Sequence, residues 1–78
     1  MTKPFDPWAV QKGLWRTFGW AIAENPFVTR ADIDAMHRTF EQQSLMTRRV
    51  NPAAADILSE MATEFHRAAI EALVKRQN

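Results

Sequence analysis

Three Asx-Pro pairs limit how this sequence can fold: Asp6-Pro7, Asn25-Pro26 and Asn51-Pro52. Asp or Asn followed by proline is typical of a helix start, because the side chain caps the first turn and proline fits the first helical position. The middle pair indicates a helix end instead, because the residue before a proline avoids helical backbone angles. The chain is therefore divided into segments that are each long enough for one helix.

These segments predict three helices, at about residues 7–24, 29–46 and 51–76. Thr29 and Asp32 resemble a capping box for the second helix, with Asp in place of the usual Glu. No run of β-branched residues alternates with polar ones, which argues against strands. We expect one small all-α, three-helix domain over residues 1–78, with a long and alanine-rich last helix. Both connections are short, so consecutive helices are expected to lie antiparallel or to cross steeply.

Size and composition limit how such a domain is stabilised. A chain of 78 residues buries only about 60% of its unfolded surface, so it needs a further stabilising device. The sequence has no cysteine, which excludes disulfides and thiolate metal sites and fits a reducing compartment. Hydrophobic residues make up 46% of the chain, which argues against disorder. Association with a second chain is the device that remains.

The charge balance and the apolar runs narrow the class of protein further. Ten Lys and Arg oppose nine Asp and Glu, so the chain lacks the basic excess that phosphate binding needs. The first residues lack the apolar run of a signal peptide. No stretch reaches the roughly 18 apolar residues of a membrane span. The expectation is a cytoplasmic protein without a transmembrane segment.

The large apolar residues of the first helix divide into Trp20, which lies on a polar side, and a group that is predicted to face the core. Trp20 falls beside Lys12 and Arg16, with Gly13 seven positions earlier. An indole on a polar side is typical of a binding hot spot, and a helical glycine, which costs up to about 1 kcal/mol relative to alanine, allows another backbone to approach. The alternative is that Trp20 folds back over Phe27 or the third helix. At about 100° per residue, the other apolar side chains form one arc that is predicted to face the core: Trp8, Val10, Leu14, Trp15, Phe18, Ala21 and Ile22.

The second and third helices also have predicted core sides. In the second helix this side is a narrow stripe of Ile33, Met36 and Phe40, with His37 at its edge. In the third helix it is broad and rich in small residues, which favour close helix packing. Its members are Ala54, Ile57, Leu58, Met61, Ala62, Phe65, Ala68, Ala69, Ala72 and Leu73.

A partner-binding surface is predicted from the residues that these core sides leave over. Ile70 and Val74 are neighbours at i,i+4 and form an apolar patch away from the main core, although single surface hydrophobes are also common. Two arginines are expected to rim the surface. The predicted surface consists of Gly13, Arg16, Trp20, Arg48, Arg49, Ile70 and Val74.

Motifs for catalysis are missing from the sequence. There is no Gly-rich phosphate loop, GxSxG or HExxH. Glu64 and His66 are two residues apart on a helix, so they point about 200° apart and do not share a metal. Glu60 and Glu64 share a face, but neither is followed by the histidine of a Glu-x-x-His motif. We expect no catalytic residue, no cofactor and no metal.

The favoured function is a non-enzymatic protein-binding module. It would act as an accessory or regulatory subunit, as an inhibitor of a larger protein, or by self-association. One alternative is a helix-turn-helix regulator that binds nucleic acid through the second and third helices. Three acids in the first turns of the third helix oppose this alternative; they are Asp56, Glu60 and Glu64. Another alternative is peripheral binding to a lipid or granule surface through the Trp-rich first helix, which has only Lys12 and Arg16 as basic residues.

Overall fold

The structure is a computed structural model that describes residues 6–77. It contains three helices, α1 (Pro7–Glu24), α2 (Arg30–Arg48) and α3 (Pro52–Gln77), and no strand within the described range. The prediction of an all-α, three-helix fold is confirmed. The first helix has the predicted bounds, whereas α2 continues two residues beyond its predicted end.

Local side-chain hydrogen bonds fix the starts of the helices. The carboxylate of Asp6 and the amide oxygen of Asn51 each accept a hydrogen bond from a backbone N–H in the following turn, at 3.0 and 3.1 Å. Thr29 and Asp32 form a reciprocal capping box, with bonds of 3.3 and 2.9 Å. Caps of this kind contribute about 1 kcal/mol each. The helix starts are therefore encoded by residues next to them in the sequence.

The central helix is α3, and α1 lies along one side of it. Lys12 and Arg16 of α1 form ion pairs with Glu60 and Glu64 of α3, at 3.9 and 4.0 Å. Residue numbers rise together across this interface, so α1 and α3 run in the same direction. Their closest approach is at Gly19, where an added Cβ would lie 2.6 Å from a backbone oxygen of α3.

On the other side of α3, α2 runs in the opposite direction. The buried hydroxyl of Ser44 donates a 2.8 Å hydrogen bond to the carbonyl of Ala55, near the start of α3. At the other end of the interface, Ile33 packs with Ala69 and Leu73 in the buried core. The residue numbers therefore run in opposite senses along the α2–α3 contact.

The helices α1 and α2 do not contact each other within residues 6–77. They run in opposite directions, as expected for consecutive helices, but they do not pack on each other. The reason lies in the turn that joins them, which crosses the end of α3. There the guanidinium of Arg76 donates hydrogen bonds to three backbone carbonyls, those of Ala23 (2.6 Å), Asn25 (2.8 Å) and Val28 (3.2 Å). The turn is held on α3, so α1 and α2 lie on opposite sides of it.

The buried core is small and is centred on Phe65. Its ring lies 5.3 Å from that of Phe18 on α1 and 5.5 Å from that of Phe40 on α2. Five of the eight buried hydrophobic residues in the described range are alanines. Within residues 6–77, the larger apolar side chains of the buried core are Ile33, Phe65 and Leu73.

Candidate protein-binding face

Three large apolar side chains of α1 are exposed along one line of the helix. Val10, Leu14 and Phe18 are spaced by four residues, so they lie one above another. Their exposed fractions are 48%, 63% and 45%. We call these three residues the α1 stripe. At about 1.5 Å rise per residue, the stripe is about 12 Å long.

The α1 stripe was expected in the core, and this prediction is wrong. The predicted arc divides: Trp8, Trp15 and Ile22 are half-buried, whereas the stripe and Ala21 are exposed. The buried residues of α1 are Gly19 and Ala23. Because helix packing is tightest where side chains are smallest, α1 docks on α3 through these residues and turns the stripe outward.

The residues that flank the stripe on α1 are uncharged. Exposed residues beside it on α1 are Gln11, Thr17 and Ala21. The hydroxyl of Thr17 already donates a 2.8 Å hydrogen bond to a backbone carbonyl one turn earlier. The basic residues Lys12 and Arg16 are drawn toward α3 by their ion pairs. Depletion of charge is what distinguishes the centre of a protein interface from the rest of a surface.

One end of the stripe is supported by the core. The ring of Phe18 is half exposed, yet its centre lies 5.3 Å from that of the fully buried Phe65. Phe65 in turn contacts Phe40 edge to face, which links all three helices. A side chain held this way loses little conformational freedom on binding, which favours its use as an anchor.

Trp20 lies in a different place from the stripe. It is 48% exposed and does not cover Phe27, whose own exposure is 87%. Instead it borders an open groove of about 570 Å³ where α1 and α3 end. The groove is lined by Trp20, Ala23, Glu24, Glu71, Ala72, Lys75 and Arg76.

The other predicted surface residues are dispersed. An added Cβ at Gly13 meets nothing within 4 Å, so no contact between described residues requires a glycine there. Arg16 is paired with Glu64 at 4.0 Å. Ile70 is half-buried and packs against the core cluster, whereas Val74 is exposed. The patch predicted away from the core is therefore partly core, and neither residue lines the Trp20 groove.

The two predicted arginines lie at the opposite end of α3 from the Trp20 groove. Arg48 forms a 3.0 Å ion pair with Asp56. Arg49 caps the end of α2 and borders a smaller cavity of about 290 Å³ with Leu45 and Met46. The seven predicted residues therefore fall into three groups: those on α1, those at the end of α2 and those late in α3, namely Gly13, Arg16 and Trp20; Arg48 and Arg49; and Ile70 and Val74.

Two histidines meet between α2 and α3. The ring centres of His37 and His66 are 4.5 Å apart. Nε2 of His66 lies 2.8 Å from a carboxylate oxygen of Asp34, and Nε2 of His37 lies 3.1 Å from one of Glu41. The hydrogen bond from His66 holds the pKa of Asp34 below its usual value; desolvation opposes the shift and the charge of Arg30 adds to it.

This histidine cluster joins the two helices and offers no metal site. Among residues 6–77, no three His, Asp or Glu side chains are grouped so that they would hold a metal ion. The sequence placed His37 at the edge of the α2 core stripe, and its half-buried position agrees. The bond between Asp34 and His66 joins residues 32 positions apart, so no local pattern indicated it.

Comparisons with known proteins add no relationship: no family model matches the sequence, and no curated protein or solved structure is significantly similar. In the part of the chain that is described, no helix combines the length and apolar character needed to cross a bilayer.

Proposed function

We propose that this chain acts by binding protein through the α1 stripe, as a small accessory or regulatory module of the cytoplasm. The observation that carries the proposal is the exposure of Val10, Leu14 and Phe18 on an uncharged side of α1. Contiguous exposed apolar side chains mark interaction sites in small soluble domains. The mode of action is occupancy, in which the domain blocks, bridges or stabilises its partner without catalysis.

The arrangement of the helices supports this proposal. Domains bury their apolar sides between at least two layers of secondary structure. Here α1 and α2 pack on opposite sides of α3 and not on each other. The outer side of α1 therefore has no second layer within the described chain. A partner helix on the stripe would supply one.

The same contacts favour protein over lipid or nucleic acid as the partner. An amphipathic helix that binds anionic lipid presents Lys and Arg beside its apolar face, but Lys12 and Arg16 are engaged by glutamates of α3. A helix-turn-helix reader needs a basic approach to phosphate. In this chain Arg48 is paired with Asp56, whose side chain is exposed near the start of α3.

The groove beside Trp20 is a second proposed contact. Its half-exposed indole and adjoining small residues, Ala23 and Ala72, suit an inserted side chain. Arg48 and Arg49 lie at the opposite end of α3, and neither Gly13 nor Val74 lines the groove, so these four residues are not part of this second contact. The stripe ranks first because it combines three large apolar side chains with uncharged surroundings.

A photo-crosslinking pair tests the proposed function. A benzophenone amino acid replaces Leu14 in the stripe or Leu45, an equally large and 68% exposed residue of α2, and each variant is irradiated in its native cells. We expect discrete protein adducts from position 14 and few from position 45. Adducts at position 14 that contain only lipid, or equal adduct patterns at the two positions, would show that the stripe is not a protein-binding face.

A further inference from the structure

We infer that the partner on the α1 stripe is a second copy of this chain. The inference rests on the proposed function, because it names the occupant of the same surface. Two α1 helices would pack antiparallel across a twofold axis that passes beside Leu14.

The chain exposes more area than a compact monomer of its mass. A compact monomer of 9.0 kDa exposes about 4,900 Å², whereas this chain exposes 5837 Å². The surplus of roughly 1,000 Å² is close to the area of about 800 Å² that each partner contributes to a standard stable interface. The radius of gyration agrees, because its value of 14.2 Å exceeds the roughly 11.5 Å of a compact chain of this length.

The stripe is also symmetric about its centre, as a twofold interface requires. Such an interface uses the same patch on both copies, so that residue i meets j while j meets i. Leu14 is the middle residue and the most exposed of the three. An antiparallel pairing places it against its own copy. Val10 then faces Phe18 of the second copy, which sets a small side chain against a large one.

The uncharged flanks of the stripe meet a further requirement of a twofold interface. Near a twofold axis each side chain lies close to its own copy, so a charged residue there would meet a like charge. The exposed neighbours of Leu14 are uncharged, and the nearest bases, Lys12 and Arg16, are turned toward α3. Self-association would also bury further apolar surface, which would stabilise a chain whose own core is small, rich in alanine and without disulfides.

Single-cysteine variants test the geometry, because the chain has no cysteine of its own. Under mild oxidation, Leu14→Cys is expected to form a covalent dimer in most of the sample. Val10→Cys alone is expected to couple at least tenfold more slowly, since its two copies lie about 12 Å apart along the helix axes and a disulfide needs Cα atoms within about 7 Å. A mixture of Val10→Cys and Phe18→Cys chains should couple to each other. The control is Leu45→Cys, which is more exposed than Leu14 and should form no disulfide-linked dimer under the oxidising conditions that cross-link Leu14→Cys.

Sedimentation equilibrium of the full chain tests the association itself. We expect twice the chain mass at micromolar concentration, a monomer for Leu14→Asp, and a dimer for the matched variant Leu45→Asp, with helicity checked by circular dichroism. A native chain that stays monomeric at the highest soluble concentration overturns the inference, as does Val10→Cys coupling as fast as Leu14→Cys. If Leu14→Asp unfolds, the cysteine variants still decide the geometry. A monomer that gives adducts with other proteins at position 14 refutes the second copy alone, whereas a monomer without protein adducts refutes the proposed function as well.

Discussion

The two sides of α3 are packed in opposite ways. On the α2 side, large side chains such as Ile33 fill the interface, and buried polar groups bond across it, as Ser44 does. On the α1 side the contact depends on missing side chains, since Gly19 and Ala23 are the buried residues of α1. This difference explains why the α1 stripe is exposed. Because α1 packs on α3 through its small residues, its large apolar residues Val10, Leu14 and Phe18 lie on its outer side.

Ile33→Ala is expected to have the largest effect on the free energy of unfolding, because Ile33 is one of the two largest fully buried side chains of the α2–α3 core. Ile33 is fully buried against Phe65, Ala69 and Leu73. Loss of a buried isoleucine side chain costs about 2–5 kcal/mol, a large part of the stability of so small a domain. Urea unfolding followed by circular dichroism, at one fixed protein concentration, measures the change. The matched control is Leu45→Ala on the exposed side of α2, expected to change stability by less than about 0.5 kcal/mol. Equal losses would mean that the α2–α3 core is misassigned.

Gly19→Ala tests the α1 side by adding atoms. The new Cβ would lie 2.6 Å from the carbonyl oxygen of Phe65 and 3.0 Å from the backbone nitrogen of Ala69. Backbone atoms do not yield as a flexible side chain does, so α1 must shift. We expect a net loss of about 1–3 kcal/mol, despite the better helix propensity of alanine.

Gly13→Ala is the control for this prediction, because its Cβ would meet nothing within 4 Å. It should raise the free energy of unfolding by up to about 1 kcal/mol, since alanine is the better helix former. Stabilisation by both substitutions would contradict the close contact between α1 and α3. If only Gly13→Ala weakened dimerisation, this glycine would belong to the intermolecular surface that the sequence predicts.

The helix starts could be predicted from the sequence because each is determined by residues next to it. Asp6, Asn51 and the pair Thr29 and Asp32 form the caps expected from their positions. The placement of α1 relative to α2 could not be predicted in this way. It depends on Arg76, which reaches the α1–α2 turn from 48 to 53 positions away along the chain.

The outward stripe was missed because periodicity finds an apolar side without showing which side packs. A second signal in the sequence points to the correct side. Lys12 and Arg16 are four residues apart, and so are Glu60 and Glu64. Equal spacings of opposite charge on two helices allow two ion pairs that turn these bases toward α3, whichever way the helices run. The structure forms both pairs, and the stripe lies on the remaining apolar side of α1.

Ser44→Ala sharpens the comparison by removing one polar bond from the α2 side. The hydroxyl is buried and donates a 2.8 Å hydrogen bond to the carbonyl of Ala55. Without the hydroxyl, that carbonyl loses this hydrogen-bond donor, and we expect the free energy of unfolding to fall by about 1–2 kcal/mol. Thr63→Ala is the control, because its exposed hydroxyl bonds only to a carbonyl of its own helix. If the unfolding midpoint fell equally for both variants, the hydrogen bond of Ser44 would not contribute specifically to the α2–α3 interface.

The smallest expected effect is a pH dependence on the same side, carried by Asp34. Its pKa in the folded chain is lowered from the usual 3.8, chiefly by the hydrogen bond from His66. A carboxyl whose folded pKa is depressed contributes stability above its unfolded pKa and loses it as the pH falls through the folded value. The contribution should thus be complete above about pH 5 and should vanish as the pH falls below 3.8. Unfolding midpoints measured over this range should decline less steeply for Asp34→Asn than for the native chain. Parallel curves would mean that the 2.8 Å contact between His66 and Asp34 does not couple proton binding to folding. The α2–α3 interface would then be stabilised by its apolar packing and by the hydrogen bond of Ser44.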